Sequence, residues 1–584
     1  MRLDIDWQRL AAGGLAQGVR WVSAQDASLT RCEQDEVLVV ACGRPREGER
    51  TLDGPALLTR YAAKGIDLAV GLCGSYAIAV IDARARRVML VNDRMAVHGW
   101  CHAVADGVLR VADRADQIAD GADIDPQAVF TYLFNHVIPA PDTIYRGVRR
   151  LPPGHRLIAD DSGVQVAPHW QPVFCAVERP DFQALKQEFR GLIRAAVARE
   201  AQHHAAGALG TFLSGGTDSS TVSGMLREAV GAPVHAYSIG FDADGYDEME
   251  YARIAARRFG LVHHEHYLSP DEVVEGMPLV AAHYDQPFGN SSAVAAYHCA
   301  RVAREDGRVA LLAGDGGDEL FGGNARYAKQ ALFGLYEAVP ATVRSLLMQP
   351  LLDNALAARI PGLAKAASYV QQARVPIPDR LHMYNLLQRL GLRDVLTPAF
   401  LAQVDPAHDR EAQRAEYARS AGAHQVDRLL AYDWKYTLAD NDLPKVIGTT
   451  ALAGMGTAFP LLTDEIIDFS LKLPHDYKLK GQQLRWFFKE SLRGFLPEEI
   501  IVKKKQGFGL PFGVWALRHP QLAALADDAL GSFGARGVVQ PAFMHRLRTE
   551  LLPAHPGYYG ELVWIVAMLE LWLRARAPRW QLSS

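Results

Sequence analysis

At 584 residues the chain is too long for one compact core and calls for at least two units. Apolar residues make up 49% and charged residues 22%, the balance of an ordinary water-soluble globular protein. A net charge of −4, from 62 basic and 66 acidic residues, argues against broad nucleic-acid binding.

Six cysteines, with no C-x-x-C and no zinc-like cluster, read as reduced thiols and not as a disulfide framework. Asp4 and Asp6 interrupt any secretory core at the start. The most apolar run, Leu68–Ile81, is too short to cross a bilayer and reads as paired strands. A cytoplasmic protein is expected.

In chain order, strands are predicted over Asp35–Gly43, Ser75–Ala83, Arg86–Arg94 and His155–Trp170, the last broken by an Asp-Asp-Ser-Gly turn. Asp53–Gly65 has helical periodicity and a terminal glycine. Val137–His155, rich in proline and basic residues, reads as an ordered crossing between units. A helix follows within Val177–Gln202, with Phe182, Leu185, Phe189, Ile193 and Val197 on one face. From residue 207 to about residue 330 strands and helices alternate, which predicts a doubly wound parallel sheet with sites at the strands' C-terminal ends. Beyond it, long runs such as "ELVWIVAMLELWLRAR" read as amphipathic helices. The fold class is α/β, with units at 1–170 and 171–584.

The loop Ser214-Gly215-Gly216-Thr217-Asp218-Ser219-Ser220 lies between an apolar strand and a helix. It is not a Walker loop, but its physics is related: glycines let backbone N–H groups approach an anion at a helix N-terminus. Ser214, Ser219 and Ser220 add hydroxyl donors. Asp218 would repel phosphate unless a cation lies between, so it is assigned to Mg²⁺. Taken alone, such a string reads as a tight turn and an N-cap. A second string, "LLAGDGGDELFGGNARY", sets Asp315, Asp318 and Glu319 on a glycine-rich turn after a strand, beginning at Gly314.

"SGGTDSS" resembles the pyrophosphate loop of the ATP-pyrophosphatase superfamily, and "GDGGDELFGG" resembles a motif of the class B asparagine synthetase family. The resemblance runs from about residue 205 to about residue 520 and includes "HYDQPFGNSSA" and "LPHDYKLKGQQLRWFFKESLRGFLPEEIIVKKKQGFGLPFGVW". It implies an Ntn-type glutaminase-like α/β sandwich, then an adenylating domain with a helical C-terminal extension. The implied cofactors are ATP and Mg²⁺. Asp218 and Asp318 would hold the metal, while Ile239 and Gly240 would lie near the adenine. Lys505 would offset developing charge, and Asp315 and Glu319 would orient the amine. Lys503 and Lys504 read as a solvated basic run.

Two departures stand out. Glutamine-using members carry a cysteine directly after the initiator methionine, and here that residue is Arg2; the expected Asn-Gly step is also missing. The sandwich is therefore expected to be catalytically silent, as in β-lactam synthetases and lasso-peptide macrolactam cyclases. In the second half Ala458 stands at the family's arginine position, and Lys445 where many members carry an apolar residue. Both hint at an altered acyl pocket. The expected partners are a small-molecule or peptide carboxylate and an amine, either ammonia or internal to the substrate. Neither nucleic acid nor membrane is expected, and a homodimer or a biosynthetic partner protein stays open. Asparagine formation and ring closure stay open here, beside a tRNA-modifying enzyme and a non-catalytic nucleotide binder.

Overall fold

The computed structural model describes residues 1–22, 29–176, 178, 181–243, 245–337, 339–348, 352, 361–504, 507 and 509–582. The N-terminal part stacks two antiparallel sheets. Their strands are β1 (Arg2–Asp6), β2 (Val19–Trp21), β3 (Thr30–Gln34), β4 (Val37–Gly43), β5 (Tyr76–Asp82), β6 (Arg87–Asn92), β7 (Cys101–Ala105), β8 (Val108–Ala112), β9 (Val148–Arg150), β10 (His155–Asp160) and β11 (Gly163–Pro168). One sheet has the order β9-β7-β8-β1-β2 and the other β11-β10-β6-β5-β4-β3.

Period-two alternation divides the second sheet's side chains between two cores. Leu38, Val40, Ala79, Ile81 and Leu90 point toward the first sheet, where they meet Leu3, Ile5, Trp100 and Val111. Val39, Ile78, Val80 and Met89 point the other way, onto α1 (Gly54–Lys64). Burial on both faces explains why "YAIAVI" is a continuous apolar run. Helix α1 starts where the Asp53 carboxylate accepts from Ala56 N–H and ends at Gly65, φ +55°. The run Leu68–Ile81 is not a strand pair: its first half is turns, and only Tyr76 onward enters the sheet. The first sheet's outer face packs on α2 (Pro126–Asn135) and on C-terminal helices.

Next, α3 (Phe182–Gln202) buries Phe189, Ile193 and Val197 on the expected face. A parallel sheet then follows, with strands β12 (Leu209–Phe212), β13 (His235–Phe241), β14 (Val262–Leu268), β15 (Ala310–Leu312) and β16 (Gly456–Ala458) in the order β14-β13-β12-β15-β16. Its connections include α4 (Thr217–Val230), α5 (Met249–Phe259) and α6 (Ala293–Glu305). The remaining chain is helical and includes α7 (Leu443–Leu452), α8 (Asp464–Lys472), α9 (Trp486–Leu492) and α10 (Pro556–Arg576). Helix α10 is not amphipathic: Leu562–Leu573 is buried on every side. Its one acidic residue in that stretch, Glu570, is fully buried and bonded to Arg536 and Arg574.

Ion pairs join the two parts. Arg46 Nη2 donates to both oxygens of Glu465 at 2.7 and 2.8 Å. Arg94 reaches Asp464 at 2.7 Å and Asp468 at 2.6 Å. Asp285 accepts from Ala115 N–H at 2.8 Å and from Arg150 at 2.9 Å. Trp170 stacks on Trp434 with ring centroids 6.3 Å apart. All six cysteines are free thiols. No helix among the described residues is long and apolar enough to cross a membrane.

Candidate active site

Strand β12 ends at Phe212, and the chain turns through Ser214–Gly216 into α4 at the strands' C-terminal ends. Gly215 has φ +68°, and a Cβ there would lie 2.4 Å from Ala252 N, so only glycine lets the loop pass this close to α5. Gly216 caps α4 with no side-chain bond, which leaves the first-turn N–H groups available to an anion. Ser214 Oγ and Ser219 Oγ stand 3.1 Å apart, and Ser214 N–H donates to Ser219 Oγ at 3.2 Å.

The second glycine-rich turn packs directly on this loop. A Cβ on Gly314 would lie 2.6 Å from Ser219 N. One on Gly317 would lie 2.6 Å from Asp218 Cγ, and one on Gly323 would overlap the Asp318 carboxylate. Gly314 and Gly317 of "GDGGDELFGG" are thus explained by two loops in contact.

Asp218 and Asp318 converge on a residue not singled out in the sequence. Arg485 Nη1 donates to Asp218 Oδ1 at 3.0 Å and Oδ2 at 2.9 Å, and lies 2.7 Å from Asp318 Oδ1. Arg485 caps α9 with φ +53°. Burial works against its charge, but Asp218 and Asp318 outweigh that and hold the guanidinium above its ordinary value. Two convergent carboxylates are also an oxygen-rich donor set suited to Mg²⁺. The expectation that they face only a metal omitted this arginine.

Between the loops and α7 lies a cavity of about 420 Å³. Ser214, Asp218, Ser219, Ile239, Gly314, Asp315, Asp318 and Glu319 line it, with Asn290, Ser292, Asp442 and Lys445 opposite. Lys445 Nζ lies 3.1 Å from Asp442 Oδ1 and 3.8 Å from Asp315 Oδ1. Burial opposes the lysine's charge, and Asp442 and Asp315 restore it, keeping its pKa above the ordinary value. Burial also pushes Asp315 up to about 6, with Lys445 opposing the rise and Asp442 adding to it. Glu319 is buried, and its carbonyl accepts Trp434 Nε1–H at 2.9 Å.

Four expected ligand residues stand off the cavity: Gly215 and Gly216 of the loop, Ser220 and Gly240. Ser220 is fully buried in the first turn of α4, and Gly240 is buried against Tyr267. Lys505 lies outside the described residues. Lys503 is not a solvated charge: its Nζ pairs with Glu248 at 2.6 Å and sits 4.5 Å from the Tyr251 ring centre. Lys504 is exposed, and Gly507 lines the cavity.

In the sandwich, Arg2 is buried in β1 and bonded to Asp4 and Asp120. Cys101, on the same sheet, is fully buried, and burial pushes its thiol up to about 12.

A glutaminase-type sandwich joined to a doubly wound sheet, with a helical C-terminal part, is the architecture of an ATP-dependent ligase that forms C–N bonds. A model of the asparagine synthase family matches residues 188–574, and one of a glutamine amidotransferase domain matches residues 48–170. The chain belongs to the asparagine synthase family. It is 26% identical over 532 residues to "Putative asparagine synthetase [glutamine-hydrolyzing]" of Mycobacterium tuberculosis, a match covering 89% of this chain and 79% of that one. It is 23% identical over 401 residues to "Asparagine synthetase [glutamine-hydrolyzing] 1" of Bacillus subtilis, covering 67% of this chain and 60% of that one.

Proposed function

We propose that this chain adenylates a substrate carboxylate with ATP and passes the acyl group to an amine without hydrolysing glutamine. Units at 1–170 and 171–584 divide the work, the first as scaffold and the second as ligase. In this reading the first-turn N–H groups of α4 and the hydroxyls of Ser214 and Ser219 bind the β- and γ-phosphates. Asp218 and Asp318 would hold Mg²⁺, which neutralises charge on the departing pyrophosphate. Arg485 fixes both carboxylates in place. Ile239 packs against the adenine. Asp315 and Glu319 orient the amine, and Lys505 offsets charge on the acyl and phosphate oxygens. Holding carboxylate, amine and nucleotide in one cavity accounts for much of the acceleration.

The observation that carries the reading is the convergence of Asp218, Asp318 and Arg485 on one point beside the glycine loop. Silence toward glutamine is supported by the sandwich: the β1 position next to Met1 holds the Arg2 ion network, and the Cys101 thiol is too weakly acidic to serve as a nucleophile. A second reading, ring closure by an amine within the substrate, is favoured by Lys445, a cation inside the acyl side of the cavity.

The test uses the full chain with ATP and Mg²⁺, plus aspartate and either ammonium or glutamine. AMP and pyrophosphate are expected as nucleotide products, with no glutamate formed from glutamine. ADP in their place overturns the adenylation reading, and glutamate formed in step with AMP overturns the silence. No turnover with aspartate and ammonium, together with ATP binding that Arg485→Ala abolishes, selects ring closure over asparagine formation.

A further inference from the structure

The outer edge of the parallel sheet carries a cluster that the ligase chemistry does not use. Edge strand β14 reads V-H-H-E-H-Y-L, with histidines at 263, 264 and 266. Its parallel neighbour β13 begins at His235, and its register sets Tyr237 beside His264. The His264 ring stacks on His235, with centroids 5.1 Å apart, and on Tyr237, with centroids 4.7 Å apart.

Asp306, the residue after α6, brings its carboxylate onto the same face. His235 Nδ1 lies 2.8 Å from Asp306 Oδ2 and 2.9 Å from His264 Nε2; the third side, His264 Nε2 to Asp306 Oδ2, is 3.5 Å. Tyr237 Oη donates to that same oxygen at 2.5 Å. Protons alone serve this triangle poorly. His235 Nδ1 holds at most one hydrogen, yet it faces two close polar atoms, Asp306 Oδ2 and His264 Nε2. A cation at the centre would use all three lone pairs together.

The distances suit one. The circle through the three atoms has a radius of about 1.8 Å, so a point about 2.0–2.1 Å from each lies just off their plane, the bond length zinc makes with imidazole and carboxylate. Two imidazoles and one carboxylate are zinc-class ligands. The three residues are partly exposed at the sheet's edge, so an ion can enter. Arg308 Nε comes within 3.6 Å of Asp306, but its Nη groups donate to the carbonyls of Gly207 and Asp306. A neighbouring set, His266, Glu272 and His298, is less suited: Arg301 donates to the same Glu272 oxygen at 3.2 Å.

We propose that His235, His264 and Asp306 bind one divalent ion of the zinc class, with a fourth position open to water. The ion fastens β13 and β14 to the C-terminal end of α6. Because Tyr237 and Cys299 also line the nucleotide cavity, occupancy stiffens one of its walls.

The full chain, stripped with chelator and dialysed against Co²⁺, is expected to retain about one equivalent. It should show the visible bands of tetrahedral Co²⁺, lost when Zn²⁺ is added. His264→Gln and Asp306→Asn should abolish the bands, and His266→Gln should keep them, with circular dichroism confirming that each variant is folded. Zn²⁺ should also raise the melting temperature of the parent chain and not of H264Q. Absence of the bands in the folded parent chain overturns the proposal, as does their persistence in H264Q or their loss in H266Q alone.

Discussion

Arg485 is the side chain on which the candidate site turns. It holds Asp218 and Asp318 from 267 and 167 positions away in sequence. Arg485→Ala should lower the rate of pyrophosphate release by roughly 10²–10³, the scale of losing one preorganised charge contact. Arg485→Lys should recover only part, since a shorter and more strongly hydrated ammonium is a poorer buried partner for two carboxylates. Asp315 makes a second case. Its carboxyl, raised from 3.8 to about 6, must be ionised to orient an amine, so kcat/KM should fall on an acid limb near pH 6. Asp315→Asn should remove that limb from whatever activity remains. The effect on stability has the opposite sign: the folded state holds this proton more tightly, so the group's contribution to stability declines as pH rises from about 4 to about 6.

The two glycine loops and the strands that lead into them behave as their sequence implies, and the reason is local. Glycine spacing, the strand before it and the helix after it are all written within about a dozen residues around Ser214 and again around Asp315. Gly215→Ala and Gly314→Ala therefore test the loops as units. Each adds a Cβ within 2.6 Å of backbone, so each should weaken ATP binding at least tenfold and lower stability by about 1–3 kcal/mol, measured by calorimetry and thermal unfolding. What stayed illegible has equally physical causes. Arg485 is one of many arginines until the fold brings its αL cap beside Asp218. Helix α10 looked two-faced because Glu570 and Arg574 break its apolar run, yet Glu570 is itself buried, satisfied by Arg536 from outside the helix. Lys503 looked solvated for want of its partner Glu248, which is remote in sequence.

Across the whole molecule, ion pairs reinforce an apolar joint between the sandwich and the ligase part. Arg46 is almost fully buried, and its bidentate partner Glu465 is about one-third exposed, with a side-chain exposure of 33%. A double-mutant cycle of R46A and E465A should give a coupling of about 1–3 kcal/mol in unfolding experiments. Length predicted at least two units, and the segment Val137–His155 predicted an ordered crossing. The charges that bind the units could not be read from the chain, because Arg46, Arg94 and Asp285 find their partners only in three dimensions.

The joint also bears on what the sandwich contributes besides any chemistry of its own. Released from residues 1–170, the rest of the chain would lose the Trp170 stack on Trp434 and leave Asp464 and Glu465 without Arg94 and Arg46. Such a fragment would be sticky and ill-tempered in the cell. Co-expressing the N-terminal part as a separate polypeptide should rescue the fragment's yield.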